Sequence, residues 1–527
     1  MTKLLRIGRA SAVLLVVVPL LVGGTAWGAE PDPEYPAGTL DLLTVVRLAL
    51  EHDPNITLAR ATVRQFVGAF QQASGAFDNS FTFGQGVSRN STTFVSGDPT
   101  FPNNYATDTS QSSLSSSWLL RTGQTLTPQI SLVRNAYPDW LGLGTQNTGT
   151  VSFGITQPLL RGRTRAAVTA SERSAELVLQ SNIWTLKHTI SERVRNAALA
   201  YFAYVAAREN LDAKVQAEEH ARSTQEATRR LAEAGEQARA DVVLSEADYY
   251  DKRASRMQAE QALAKARLDL GTTVGIPQDE TRTLPLPAKV LPKIDLQSVP
   301  GPALTERYVK EALDRRFDIK AREATQKGSS ALLDGSRDAM RPKADVQLMG
   351  GYQGFTSGWG FENYFTPLRP AGAPVTFSAS LSIQLPTANT AAKGAFIAQE
   401  AIVRQNQVLV EALATQVGGS VATVLSDLHR AVLQHESAAR ASDLYRIALA
   451  NDQVKLKAGV TTVNAVILTR NYAVAATLNE LTVRLNIIKG LVNLRFETGT
   501  ILSRKGETES IDVQHLIGIP FPLEAKQ

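Results

Sequence analysis

The chain has 527 residues, 43% of them hydrophobic and 6% aromatic, with no cysteine and a formal net charge of +5. Ala, Leu, Val, Gln, Glu and Arg dominate its middle, a bias of long helices and coiled coils that argues against a compact enzyme core. Without cysteine the chain makes no disulfide and no thiolate metal site, and it lacks the acceptor that a lipid-anchored bacterial lipoprotein carries.

Residues 1–28 read as a secretory signal. Lys3, Arg6 and Arg9 precede an apolar run from Ala10 to Val22, and Ala26-Trp27-Gly28 offers small residues at the −3 and −1 positions of a cleavage site. The run is too short for a good membrane helix. Without its three basic residues the net charge falls to about +2, which gives no argument for nucleic acid as a partner. No later segment approaches eighteen consecutive apolar residues, so no transmembrane helix is expected. Entry into a membrane would then require β-strands, because only a closed barrel satisfies its backbone in lipid.

From there the chain repeats itself. Residues 39–77 line up with 302–340: Ala49-Leu50 matches Ala312-Leu313, and Ile56 matches Ile319. Residues 233–250 line up with 457–473, so that Ala234-Gly235 matches Ala458-Gly459, Val242-Val243-Leu244 matches Val466-Ile467-Leu468, and, further on, Gly275 matches Gly499. The expected organisation is a signal (1–28), a first repeat (29–276), a proline-rich linker (277–302), a second repeat (303–505) and a C-terminal tail (506–527).

Each repeat has the order short helix, strands, long helix, turn, second helix. Alternation of apolar and polar residues predicts strands over 80–87, 112–120, 125–133, 149–157, 345–352 and 375–385, each about the span of a tilted membrane strand. Ser, Thr and Gln fill the alternate places, as expected where one face meets lipid and the other a watery lumen; taken alone, the same strands read rather as an ordinary soluble sandwich. The Ser/Asn/Thr-rich stretch 88–112 resembles an exposed extracellular loop.

At Gln157-Pro158, and again at Gln384-Leu385-Pro386, strand period gives way to helix period. The proline is expected to end strand pairing and preset φ for the helix. The helix after the first corner is predicted over about 163–234, which at 1.5 Å per residue is about 100 Å. Ile183, Leu186, Ile190, Val194, Ala197, Tyr201 and Val205 step by three and four, a coiled-coil seam, and Val410, Leu413, Val417, Val421, Val424 and Leu428 repeat it. A helix this long must pack against neighbours along its length.

In its opening at 42–59, its QPLLRG at 157–162 and its paired AG…DVVL and AG…AVIL turns, all of them in duplicated order behind a signal, the sequence resembles the TolC-like outer-membrane efflux family over about 39–505. The resemblance implies an α+β membrane protein: a homotrimer whose strands close a β-barrel through the outer membrane and whose coiled-coil helical hairpins close an α-barrel across the periplasm. It implies passive conduction in a tripartite efflux pump or type I secretion system. The implied partners are outer-membrane lipid, a periplasmic adaptor and an inner-membrane transporter of the RND, ABC or a similar class.

The resemblance also assigns roles to the hairpin tips. Ala234, Gly235, Val242 and Leu244 in one hairpin, and Ala458, Gly459, Asn464, Val466 and Leu468 in the other, are the positions that would meet the adaptor; the bland alternative is that any hairpin needs such turns. Asp241, with Glu236, is placed to form a ring of carboxylates at the periplasmic mouth or, equally, Asp241 simply N-caps the return helix. The usual protomer of the family gives four strands. Here the additional pair at 112–133 either extends the barrel to six strands per chain or forms an extracellular hairpin above it, the second being preferred.

The six histidines are scattered, and the signatures of zinc hydrolases, nucleophile elbows, phosphate loops and dinucleotide folds are all missing. No enzyme, cofactor or metal is expected. The competing reading is an exported structural or adhesive coiled-coil protein with a small β-domain.

Overall fold

The computed structural model describes residues 38–93, 104–288, 299–369, 374–505, 508–511 and 516–521, with 290–292, 294, 296 and 372 besides. The signal segment, the middle of the 88–112 stretch and parts of the C-terminal tail lie outside them.

The first described element begins where Asp41 accepts the Thr44 N–H at 2.9 Å and caps α1 (Leu42–His52). Pro54 pushes Asp53 to ψ 119° and opens α2 (Pro54–Ser74). Four strands follow: β1 (Ser80–Thr93), β2 (Asn104–Leu119), β3 (Thr125–Ala136) and β4 (Thr145–Pro158). A short α3 (Arg165–Val168) leads into α4 (Ala170–Glu233), which turns back as α5 (Arg239–Val274) and a single turn, α6 (Gln278–Thr281). The second half runs α7 (Thr305–Arg315), α8 (Phe317–Ala339), β5 (Lys343–Ser357), α9 (Phe361–Phe365), β6 (Val375–Gln384), α10 (Thr390–Lys457) and α11 (Val463–Glu497), then the small pair β7 (Leu502–Lys505) and β8 (Thr508–Ile511).

The sequence repeat is exact in structure at its ends. Helices α7 and α8 and strand β5 begin 263 residues after α1, α2 and β1, whereas α11 begins 224 residues after α5. The first half is thus 39 residues longer between its first strand and its hairpin turn, and the β2–β3 pair accounts for that excess.

The chain forms two compact units that cut across the two repeats. One contains the described residues that fall within 38–56, 190–315 and 417–521. Its core joins Val45, Val46 and Ala49 of α1 to Val194, Ala197, Tyr201 and Val205 of α4, with Leu270 of α5 and Ile488 and Val492 of α11. Described residues of the stretch expected as a linker enter this core: Leu284 and Leu291 are buried, the Leu40 N–H donates to the Leu286 carbonyl at 2.9 Å, and the Tyr201 hydroxyl donates to the Leu40 carbonyl. Alternating leucines between the prolines give that strap an apolar side, which a solvated linker would lack.

The other unit contains residues 57–189 and 316–416. It holds one antiparallel sheet in the order β1-β2-β3-β4-β5-β6. In the same unit α8 lies close against the start of α4, where a Cβ at Gly335 would come 2.9 Å from that of Ala170 and one at Gly328 would touch Ser174 and Leu177. Ser181 and Thr325 share a 2.9 Å hydrogen bond along the same contact. Small residues let these backbones approach.

Candidate functional site

The sheet carries the first functional feature. Its register sorts side chains without exception of period: the partners Phe83, Leu114, Ile130, Val151, Tyr352 and Val375 form one cross-strand row on one face. Phe81, Phe153, Leu348, Phe377, Leu381 and Ile383 stand on that same face. The opposite face carries Thr82, Ser113, Ser115, Gln129, Thr150, Ser152, Gln347, Gln353, Ser378, Ser380 and Ser382. The apolar face is uncovered over most of its area, with Phe81 and Phe377 each 72% exposed and Val375 83% exposed. An aqueous protein would bury such a face; an exposed apolar band opposite a hydroxyl- and amide-lined face is what a membrane strand requires.

The two extra strands enter the sheet itself, between β1 and β4. This corrects the preference for a hairpin standing above it. Leu114, Trp118, Leu126 and Ile130 continue the apolar face, and cross-strand packing on that face favours incorporation.

The strand-to-helix corner is built differently from the expectation. Gln157 and Pro158 are the last residues of β4, and the Leu159 N–H still donates to the Ala344 carbonyl at 2.7 Å. Six residues then intervene before α3. Gly162 takes φ +79° and donates its N–H to Asp338 Oδ2 at 2.6 Å, and Thr164 Oγ1 caps the helix. Pro158 is thus still paired, with Asp345, and neither ends the pairing nor opens the helix, which starts at Thr164. In the second half Gln384 closes β6 and Pro386 lies beyond it; Asn389, at φ 52°, donates to the Met340 carbonyl at 2.9 Å just before α10. Gln124 Nε2 donates to Gln157 Oε1 at 2.8 Å and ties the β2–β3 turn to the first corner. Beside it Arg121 Nε donates to Glu172 Oε2 at 2.9 Å; that bond holds the Glu172 carboxyl below its ordinary range.

The hairpin tips are a matched pair. The Gly235 N–H donates to the Ala232 carbonyl and the Glu236 N–H to that of Leu231; the Gly459 N–H donates to the Leu456 carbonyl and the Val460 N–H to that of Lys455. Both are Schellman turns with the glycine at positive φ, +77° and +73°. Ala234, Gly235, Glu236, Ala458 and Gly459 are exposed, as are Asn464, Leu244 and Leu468, and Val242 is half-buried. Val466 is 1% exposed, so it packs the hairpin rather than facing outward. Val243 and Val460, 68% and 75% exposed, stand at the tips where sequence matching gave them no role.

Asp241 is not an N-cap. The α5 cap is Ala238, which has no side-chain cap bond, and Asp241 sits in the first turn, accepting from Gln237 Nε2 at 2.9 Å. A residue three positions beyond the cap lies inside the first turn, where its side chain is not placed as a cap. In the other hairpin Thr462 does cap, its Oγ1 accepting from the Ala465 N–H at 3.2 Å.

Farther along both hairpins, Arg470 of α11 is buried beside α4 and α5. It donates to Thr224 Oγ1 at 2.8 Å and to the His220 carbonyl at 3.3 Å, and it faces Asp248 at 3.9 Å. Burial pushes its guanidinium below the usual value, and Asp248 opposes that shift. Asp248 also meets Lys252 at 3.5 Å. Sequence reading missed this cluster, because a lone arginine in a helix rich in exposed charges carries no mark of burial.

Helix α10 adds one departure from the sequence reading. It contains an 18-residue stretch of mean hydropathy 1.5, only 17% of it buried, long and apolar enough to cross a membrane by length and composition. Counting consecutive apolar residues overlooked it because Thr, Gln, Ser and Gly interrupt the Val and Leu. Among the described residues, no three His, Asp or Glu side chains converge as a metal site would need.

A duplicated chain that joins a two-faced antiparallel sheet to paired long helical hairpins has the fold of the outer-membrane channels, and the resemblance to the TolC-like family is borne out at that level. The solved structures of the Campylobacter jejuni outer-membrane channel CmeC and the Vibrio cholerae outer-membrane protein VceC both superpose with a TM-score of 0.59. CmeC is 12% identical, over 91% of each chain; VceC is 14% identical, over 87% of this chain and 96% of its own. Among curated proteins, Protein CyaE of Bordetella pertussis is 25% identical over 283 residues, 52% of this chain and 55% of its own length. The chain thus matches about half the length of that relative. No family model matches the chain.

Proposed function

We propose that three copies of the chain assemble into the exit duct of a tripartite efflux pump or type I secretion system, conducting cargo passively through the outer membrane and periplasm. The observation that carries this reading is the sheet: one face apolar and uncovered, the other polar, with edge strands β1 and β6 that each have one neighbour within the described residues. An open sheet in lipid leaves two rows of backbone groups unsatisfied, and closure with further copies removes them. The uncovered apolar stretch of α10 fits the same assembly, since neighbouring helices would bury it. Six strands per copy make an 18-stranded barrel, of the class that leaves an aqueous channel. The fold's channel neighbours support the outer-membrane location.

The tips then face the periplasmic adaptor, with Gly235 and Gly459 setting the turns and Val243, Leu244, Val460 and Leu468 offering apolar contact. Asp241 contributes negative charge near the mouth. An adhesive coiled-coil protein has no use for a sheet sorted in this way. Purified chain reconstituted into planar lipid films is expected to give discrete ion conductance and to migrate as a trimer in unboiled detergent gels. A monomer soluble without detergent and silent in the films would overturn the proposal.

A further inference from the structure

Residues 358–368 of the β5–β6 connection do not project away from the sheet. They fold down over the apolar face, and do so where that face turns polar. Beyond the row of Phe83 and Val151, the next two rows are Gln85–Ser112–Leu132–Gly149–Gly354 and Val87–Ser110–Arg134–Asn147–Thr356. Residues 358–368, which include α9, lie on these rows. Arg134 Nη2 donates to the Gly360 carbonyl at 3.0 Å, Asn147 Nδ2 to the Gly358 carbonyl at 2.9 Å, and Tyr352 Oη to the Leu368 carbonyl at 2.6 Å. Tyr364 Oη and Ser112 Oγ are 2.7 Å apart. The fit is close: a Cβ at Gly149 would lie 2.8 Å from Pro367 Cβ, and one at Gly354 would meet the Pro367 carbonyl at 2.1 Å. The Arg134 guanidinium is stacked over Tyr364 and Trp359, at 4.8 and 5.6 Å from the ring centres.

The outward side of this connection is aromatic. Phe361 is 79% exposed, Trp359 69% and Phe365 43%. The connection therefore takes the arginine, asparagine and serine of the outer face into hydrogen bonds and presents apolar rings in their place. A hydrocarbon-facing band about 25 Å tall, crossed by strands tilted about 40°, occupies about ten residues of strand. Counted along β4 from Ile155, ten residues end at Gln146, which puts these two rows at the far edge of such a band.

We propose that residues 358–368 are a lipid foot: an aromatic strap laid on the outside of the sheet, whose Trp359, Phe361 and Phe365 insert into the hydrocarbon edge of the outer leaflet. The occupant is lipid because the strap continues the exposed apolar face already read as lipid-facing, and because aromatic rings with a paired cation beneath them suit a membrane–water boundary. This rests on the barrel reading above.

The chain has no cysteine, so single cysteines for nitroxide labelling need no background removal. Phe361→Cys and Phe365→Cys test the foot; Phe377→Cys, mid-face on β6, and Ser380→Cys, on the polar face, test the barrel. Collision of each label with oxygen and with a water-soluble nickel chelate is compared in full-length protein in phospholipid vesicles. The foot requires labels at 361 and 365 to shift toward oxygen, less far than the label at 377, while 380 stays accessible to nickel. Nickel-accessible labels at 361 and 365 beside an oxygen-accessible 377 would sink the foot and leave the barrel standing. Protection from both reagents at 361 and 365 would mean that protein covers the strap, and would also refute it. Nickel access at 377 would remove the barrel and the foot together.

Discussion

The two tip glycines isolate a purely conformational demand. A Cβ at Gly235 or Gly459 would meet no atom within 4 Å, yet both residues take positive φ. Gly235→Ala or Gly459→Ala should therefore weaken its own turn by about 1 kcal/mol and disturb nothing else. Amide exchange in the last turn of α4 or α10 would speed up by roughly fivefold, while exchange in the core of the unit stays unchanged. A global loss of protection would contradict this account. Arg470 makes the opposite case, where the environment is everything. Arg470→Met leaves Asp248 buried with Lys252 as its remaining cation, and should destabilise the hairpin pair by about 3 kcal/mol. Because a buried pair replaced as a whole costs little, Arg470→Met with Asp248→Leu should recover most of that loss in denaturant unfolding. Equal destabilisation by the single and double variants would show that the two residues are not coupled.

At the scale of elements, sequence patterning located nearly everything that has a period. The repeat fixed where α7, α8 and β5 begin, and alternation found all six strands, though it stopped β1 and β5 several residues short and began β2 eight residues late: 88–93 and 104–112, read as part of an exposed loop, are paired strand, because serine, threonine and glycine blur the apolar places there. What it could not supply was long-range placement. Nothing in 112–133 says which strands it pairs with; register does, by continuing the apolar face from Phe83 through Leu114 and Ile130 to Val151. Nor could the QPLL corner show that Thr164, rather than Pro158, starts the helix, since the deciding contact is Gly162 with Asp338, 176 residues away. The tips were readable because a glycine turn is local, whereas Val466 changed from surface to core only once α11 had packed.

The same corner carries a pH prediction. Arg121 joins the β2–β3 turn to the start of α4 through Glu172, whose carboxyl it holds below the ordinary value by hydrogen bonding. A carboxylate with a folded pKa below its unfolded one stabilises the fold at neutral pH, and that contribution is lost as pH falls through the folded value. Thermal unfolding followed from about pH 6 to about pH 3 should show the wild-type chain losing stability that Glu172→Gln never had, so that the two curves converge at the acid end. Parallel curves across that range would mean that the bond contributes nothing.

For the molecule as a whole, the 39 added residues have a consequence that four strands per copy would not. With strands about 4.8 Å apart and tilted about 40°, a barrel of twelve strands has a backbone radius of about 12 Å, and one of eighteen about 18 Å. If β2 and β3 take part in closure, as their place between β1 and β4 supports, the strand ring of the proposed trimer is half as wide again as a four-strand protomer would make it. Averaged end-on images of the protein in lipid nanodiscs should show a wall about 36 Å across between opposing backbones, against about 24 Å for twelve strands. Disulfide mapping in the cysteine-free chain gives an independent reading. Cysteines on the edge strands β1 and β6 should join neighbouring copies into a covalent trimer, whereas pairs linking β1 to β4 should not form, because β2 and β3 stand between them. A narrow ring together with a β1–β4 crosslink would show that the extra pair leaves the sheet when the barrel closes.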